Sequence, residues 1–250
     1  MKYASTIAAA ILASAALWIA SPALGQTEGI NLSWTDCGSA GVSNMTFACD
    51  VNTGAPFTMI GSFVPPSGIN QFVGVECVVD MQTETDPVGD WWLTQAGAPC
   101  RAGAAVASFS FISGPFTCAD PYGGGAFGGM QFTPSPNNTS AQAPLTNKGR
   151  FVLGAAISPS APLTGGTEYY AFQILVLRTN TLTCSGGCAE SACIRLNSIN
   201  VVQPAGVGNS FLVSPPAGGS QEITWQGGAA SCVAVPVQSR TWGEVKHLYR

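Results

Sequence analysis

Apolar residues in this chain recur at every second position, and no long helical period of three and four survives, so the pattern predicts strands. Met45, Phe47, Cys49 and Val51 alternate with Thr46, Ala48 and Asp50, and Ala105, Ala107, Phe109 and Phe111 alternate with Ser108 and Ser110. Each run has one dry and one wet face, as in a sheet packed on one side. The run 168–178 differs. Tyr170, Phe172, Ile174 and Val176 fill one face, and on the other only Gln173 is polar among Tyr169, Ala171, Leu175 and Leu177. That predicts a central strand covered on both sides. Ile194 and Leu196 share one parity and Ile199 and Val201 the other, so a β-bulge near Asn197-Ser198 is needed to turn both pairs to the core. Further strands are expected near 30–34, 57–63, 127–132, 150–157, 211–213 and 222–225.

Roughly ten short strands joined by Pro- and Gly-containing turns, with no alternating helices, predict an all-β fold, an antiparallel β-sandwich of jelly-roll or cohesin-like kind. The Pro-, Asn-, Ser- and Thr-rich stretch 133–147 reads as a long surface loop within a single domain spanning 26–238. The tail, 239–250, departs from the strand pattern: Thr241-Trp242-Gly243-Glu244 has capping-box spacing, and Trp242, Val245 and Tyr249 fall on one side of a short amphipathic helix. At the other end, Lys2, the apolar run from Ile7 to Ala20 and the small-residue exit at Ser21-Pro22-Ala23-Leu24-Gly25 have the three-part form of a cleavable signal peptide over 1–25. The apolar run is shorter than a bilayer span, which predicts an exported protein, secreted or at the cell surface, with no transmembrane anchor after cleavage.

Removing Lys2 with the leader takes the formal net charge from −4 to −5. Basic residues are scattered singly, as at Arg101, Arg178 and Arg195, so no phosphate-binding stripe forms and nucleic acid is not an expected partner. All nine cysteines lie beyond the leader, where an oxidising compartment favours disulfides. Cys77 sits on the apolar strand face formed by Val73, Val75, Val79 and Met81 and is the expected free thiol. The remaining eight are expected to staple the domain as Cys37 with Cys49, Cys100 with Cys118, and Cys184, Cys188, Cys193 and Cys232 among themselves.

The chemistry-bearing residues are sparse. The one histidine, His247, lies in the tail beside no nucleophile motif, so a histidine-based triad has no support. Cys184, Cys188 and Cys193 could hold a metal only as reduced thiols. The acidic segment Asp80, Glu84, Asp86 and Asp90 offers oxygen ligands for a structural Ca²⁺, the one cofactor considered, without the spacing of an EF-hand loop. A hydrolase would need a carboxylate pair such as Glu76 and Asp80, which share a strand face. Trp91, Trp92 and Tyr122 are the aromatic candidates for stacking on a sugar ring, Trp91 and Trp92 because neighbours on a strand point to opposite faces and one can be exposed. The glycine-rich run 122–129 lacks the Lys-Ser/Thr end of a phosphate loop and reads as a turn or bulged strand. Asn31, Asn44, Asn137 and Asn138 head Asn-x-Ser/Thr triplets.

The stretches 166–177 and 193–201, which carry Tyr170, Phe172, Ile174 and Val176 and then Ile194, Leu196, Ile199 and Val201, resemble the late strands of cohesin-like bacterial surface β-sandwiches. The resemblance implies a sandwich that binds a protein partner through one sheet face. The ending 241–250 resembles the tails of secreted proteins of environmental bacteria and implies export. The expected function is non-catalytic: binding, adhesion or surface-layer structure, toward a protein or surface glycan or toward copies of the chain itself through strand edges, which carry few lysines. The alternatives are a carbohydrate-binding module and a carboxylate-dependent hydrolase.

Overall fold

The computed structural model describes residues 27–112, 117–135, 146–184 and 186–227. The leader, the tail with its expected helix, Cys232, His247, Asn137 and Asn138 lie outside them. In chain order the strands are β1 (Gly29–Trp34), β2 (Asn44–Met45), β3 (Phe57–Val64), β4 (Phe72–Thr83), β5 (Ala105–Ser108), β6 (Phe127–Pro134), β7 (Lys148–Ala161), β8 (Tyr169–Val176), β9 (Ala192–Val202), β10 (Ser210–Leu212) and β11 (Glu222–Trp225). They form a four-stranded sheet in the order β1-β3-β8-β5 and a seven-stranded sheet in the order β2-β11-β9-β4-β7-β6, with β10 added to β9. Pairings are antiparallel throughout except β2 with β11.

One apolar core lies between the sheets. Leu32, Met59 and Phe172 reach it from one side and Val79, Leu153 and Ile194 from the other. The predicted β8 is central and its core-facing residues, Tyr170, Phe172, Ile174 and Val176, are fully buried; on its other face the Gln173 amide donates to the Ser110 carbonyl at 3.0 Å. The bulge in β9 is where the parity change requires it. Val78 lies opposite Ser198 and Val79 opposite Leu196, which leaves Asn197 as the extra residue and turns both apolar pairs inward.

Two alternating runs are only partly strand. β2 ends at Met45, and β5 ends at Ser108. Phe47 is instead pinned by stacking on Trp225, with ring centroids 4.4 Å apart, and by the Gln226 amide, which donates to its carbonyl at 2.9 Å and accepts from its N–H at 3.0 Å. Phe111 stacks on Tyr170 at 4.3 Å. In both runs the alternation marks side chains that reach the core from a loop, not a hydrogen-bonded ladder.

The disulfides also differ from the expected local pairs. Cys37 bonds Cys118, Cys49 bonds Cys188, and Cys100 bonds Cys184. The partners stand 81, 139 and 84 residues apart in sequence, because β-sandwich topology brings distant loops, not sequence neighbours, to the same end of the sheets. Cys193 is disulfide-bonded as well, and Cys77 is a buried free thiol on the core face of β4. Among the described residues no helix is long and apolar enough to cross a membrane.

Candidate functional site

The aromatic candidates have no face to offer a ligand. Asp90–Trp92 is a 3₁₀ turn, not a strand, so successive side chains diverge by a third of a turn instead of pointing to opposite faces, and both indoles enter the core. Trp91 and Trp92 are 0% and 1% exposed, their rings lie 5.0 and 5.2 Å from Trp225, and the Arg101 guanidinium covers Trp91 at 4.1 Å. Arg101 is itself buried, donating to the Thr179 and Leu177 carbonyls, the latter at 2.6 Å; burial draws its pKa down to about 10. Tyr122 is packed beside Phe111 and Phe72 and donates its hydroxyl to the Ala171 carbonyl at 2.6 Å. Burial pushes that phenol well above its ordinary value.

The acidic segment does not converge on a common point. Asp80 is a buried ion-pair residue: Arg150 donates to its two oxygens at 2.6 and 2.7 Å, and the bulge residue Asn197 donates at 2.8 Å. Asp86 accepts from the Thr146 hydroxyl, and Glu84 is exposed on the loop after β4. Among the described residues the only three His, Cys, Asp or Glu ligand atoms that gather within 4.8 Å belong to Cys37, Cys118 and Glu168, and two of those are spent in a disulfide. Glu76 and Asp80, the hydrolase pair, do share the outer face of β4, about 13 Å apart along the backbone, and each is held by its own partners, Glu76 by Asn200 and Asp80 by Arg150 and Asn197. Of the glycosylation triplets, Asn31 is buried and donates to Glu168 at 2.6 Å, while Asn44 is exposed.

What the structure does assemble lies on the outer face of the seven-stranded sheet. The registers of β6, β7, β4, β9 and β10 set Gly129, Gly154, Glu76, Asn200 and Phe211 side by side in one row. The adjacent row holds Gln131, Val152, Val78 and Ser198. A Cβ added at Gly129 would meet nothing within 4 Å, and one at Gly154 only the Val75 carbonyl at 3.9 Å. The two glycines therefore leave a trough of about 550 Å³ across the sheet. Phe211 and Val152 stand beside it with 52% and 46% of their surface exposed, and the Asn200 amide donates to Glu76 at 2.9 Å on its floor. The next row, Thr133, Arg150, Asp80, Arg195 and Glu222, alternates positive and negative from Arg150 onward, and both of its ion pairs are formed. Arg150, Asp80, Arg195 and Glu222 thus form a self-neutralised ladder beside a largely apolar depression that carries the Glu76 carboxylate on its floor. Phe211 was legible only as part of the 211–213 strand. Its signal is that Phe211 and Val213 share the parity opposite the buried Leu212.

A second polar cluster brackets the Cys37–Cys118 bridge. Asp36 accepts from the Tyr170 hydroxyl at 2.5 Å, the Thr117 hydroxyl at 2.6 Å and the Cys37 N–H at 2.7 Å, while the Tyr170 oxygen accepts the Thr117 and Cys118 N–H groups at 2.7 and 3.1 Å. Burial pushes the Asp36 carboxyl up, but the hydrogen bonds from Thr117, Tyr170 and Cys37 outweigh it and hold the group below its ordinary value. Tyr170 is pushed up to about 12, by burial first and then by the carboxylate it serves. Every strong donor here already has an acceptor, so the cluster clamps two chain segments together.

Compared with models of protein families, with characterised proteins and with solved structures, the chain matches none. The cohesin likeness therefore rests on the strand pattern alone.

Proposed function

We propose that this is an exported, non-catalytic recognition protein that binds an extended surface glycan along the outer face of its seven-stranded sheet. The observation that carries the reading is the trough itself: a glycine-floored depression with a half-exposed phenyl ring next to a paired amide and carboxylate. Sugar rings present an apolar C–H face edged by hydroxyls, which an aromatic ring and flanking amide or carboxylate groups complement. The supporting arrangement is Phe211 for stacking, Asn200 and Glu76 for hydroxyl contacts, and Gly129 and Gly154 for clearance. The disulfides and the leader motif agree with work outside the cytoplasm. Adhesion or retention at a surface follows from such binding, with no bond made or broken in the ligand.

The test is co-sedimentation of the oxidised protein with insoluble polysaccharides, backed by a glycan array run with and without Ca²⁺. Retention should occur, Phe211→Ala should weaken it about tenfold, and Gly154→Arg, which fills the trough, should abolish it while leaving thermal unfolding close to that of the parent chain. Absence of any glycan retained by the parent protein, or binding unaffected by both substitutions, rejects the assignment.

A further inference from the structure

Among the described residues β6 is the outermost strand of the seven-stranded sheet and forms a ladder with β7 alone, with β5 beside its other side but not paired to it. Its sequence, Phe127-Gly-Gly-Met-Gln-Phe-Thr-Pro134, contains no charged residue, and its one proline stands at the very end. Edges that proteins keep from pairing are guarded by charge, proline or a covering segment. The edge of β1 is covered in this way: Ile30, Leu32 and Trp34 donate their N–H groups to the carbonyls of Ser214, Ser220 and Val42. The last five residues of β6, from Met130 to Pro134, line a cleft of about 610 Å³ facing Thr94, Gln95 and Ala105, with no charged residue on its walls. The Thr94 hydroxyl and the Gln95 side-chain carbonyl, both on that wall, are buried without a hydrogen-bond partner, and Thr94 is only 6% exposed.

We propose that β6 pairs antiparallel with β6 of a second copy of this chain, about a two-fold axis through Met130. Opposed residues in an antiparallel pair share a face. This axis sets Gly128 opposite Phe132, Gly129 opposite Gln131 and Phe127 opposite Thr133. Gly129, over which a Cβ would meet nothing within 4 Å, then faces the long Gln131 side chain of the copy, and Phe127, 79% exposed in the single chain, gains a β-branched neighbour, the cross-strand combinations that stabilise sheets. A neutral strand also brings no like-charge repulsion, which matters for two copies of a chain of net charge −4. Gly129, Met130 and Gln131 border the trough as well as the edge, so pairing joins two troughs into one groove across the two-fold axis. That last consequence rests on the glycan reading; the pairing does not.

Sedimentation velocity of the oxidised protein from micromolar to near-millimolar concentration should show a monomer–dimer equilibrium. The double substitution Gln131→Lys with Thr133→Lys, at two exposed positions of β6, should raise the dimer Kd at least about tenfold, whereas Val106→Lys on β5 should leave it unchanged. Hydrogen exchange on the parent chain should show β6 amides gaining protection as concentration rises, which decides the matter even if the double variant misfolds. A strict monomer, a dimer indifferent to the β6 lysines or equally sensitive to Val106→Lys, or β6 amides already protected in the monomer because the chain covers its own edge, overturns the proposal. Retention on a polysaccharide through Phe211 is read separately, so either proposal can fail without the other.

Discussion

The Tyr170 and Asp36 pair shows how much of this fold is held by single polar side chains set among apolar ones. The unfolded tyrosine ionises near 10 and the folded one near 12, so between those values the native state keeps a proton that the unfolded chain has lost. The contribution of Tyr170 to stability should therefore fall as pH rises through that interval, opposed by that of Arg101, whose folded value lies below its unfolded one. Asp36 works in the opposite sense: its folded pKa lies below 3.8, so its contribution is complete above that value and disappears as pH drops beneath it. Denaturant midpoints measured across both ranges should show the two limbs. Tyr170→Phe should shrink the alkaline limb without erasing it, since the buried Tyr122 also ionises late, and an unchanged limb would contradict the assignment. None of this was readable from the chain, because Asp36 and Tyr170 are 134 residues apart.

At the scale of elements, what the pattern of residues predicts best is the burial of side chains, and what it predicts less well is the hydrogen bonding of the backbone. The parity change between Leu196 and Ile199 located the bulge, because only an inserted residue lets both pairs point inward. Deleting Asn197 should force one pair onto the outer face and remove a donor from Asp80; we expect loss of cooperative unfolding in a urea titration, and a native-like midpoint would refute that role for the bulge. The same parity reasoning failed for Trp91 and Trp92 because it presupposed a strand where the chain makes a 3₁₀ turn. It also overextended β2 and β5, where Phe47 and Phe111 dock from loops. The trough was hidden for a further reason: Gly129, Gly154 and Phe211 become neighbours only through the registers of four strand pairs.

For the molecule as a whole, the three described crosslinks close long loops, of 81, 139 and 84 residues. Chain entropy assigns each about 4–5 kcal/mol when taken alone, and an ordinary domain has only about 5–15 kcal/mol of stability in all. Reduction should thus unfold the protein under otherwise native conditions, seen as loss of near-ultraviolet circular dichroism on adding dithiothreitol; a reduced chain that kept its full signal would show the sheets sufficient by themselves. The presence of several disulfides was legible in the cysteine count, whereas which sulfur meets which depended on sheet order, and sheet order is a property of the complete topology.

The odd sulfur, Cys77, stands in the middle of β4 with β7 and β9 closed on either side, fully enclosed and with its thiol held in the protonated form by burial. A protonated, unreachable sulfur cannot attack a neighbouring bridge. While β4 is still open this thiol can shuffle crosslinks; once β7 and β9 have closed on it, it can no longer do so, and the bridges then change only by the action of a thiol from outside the chain.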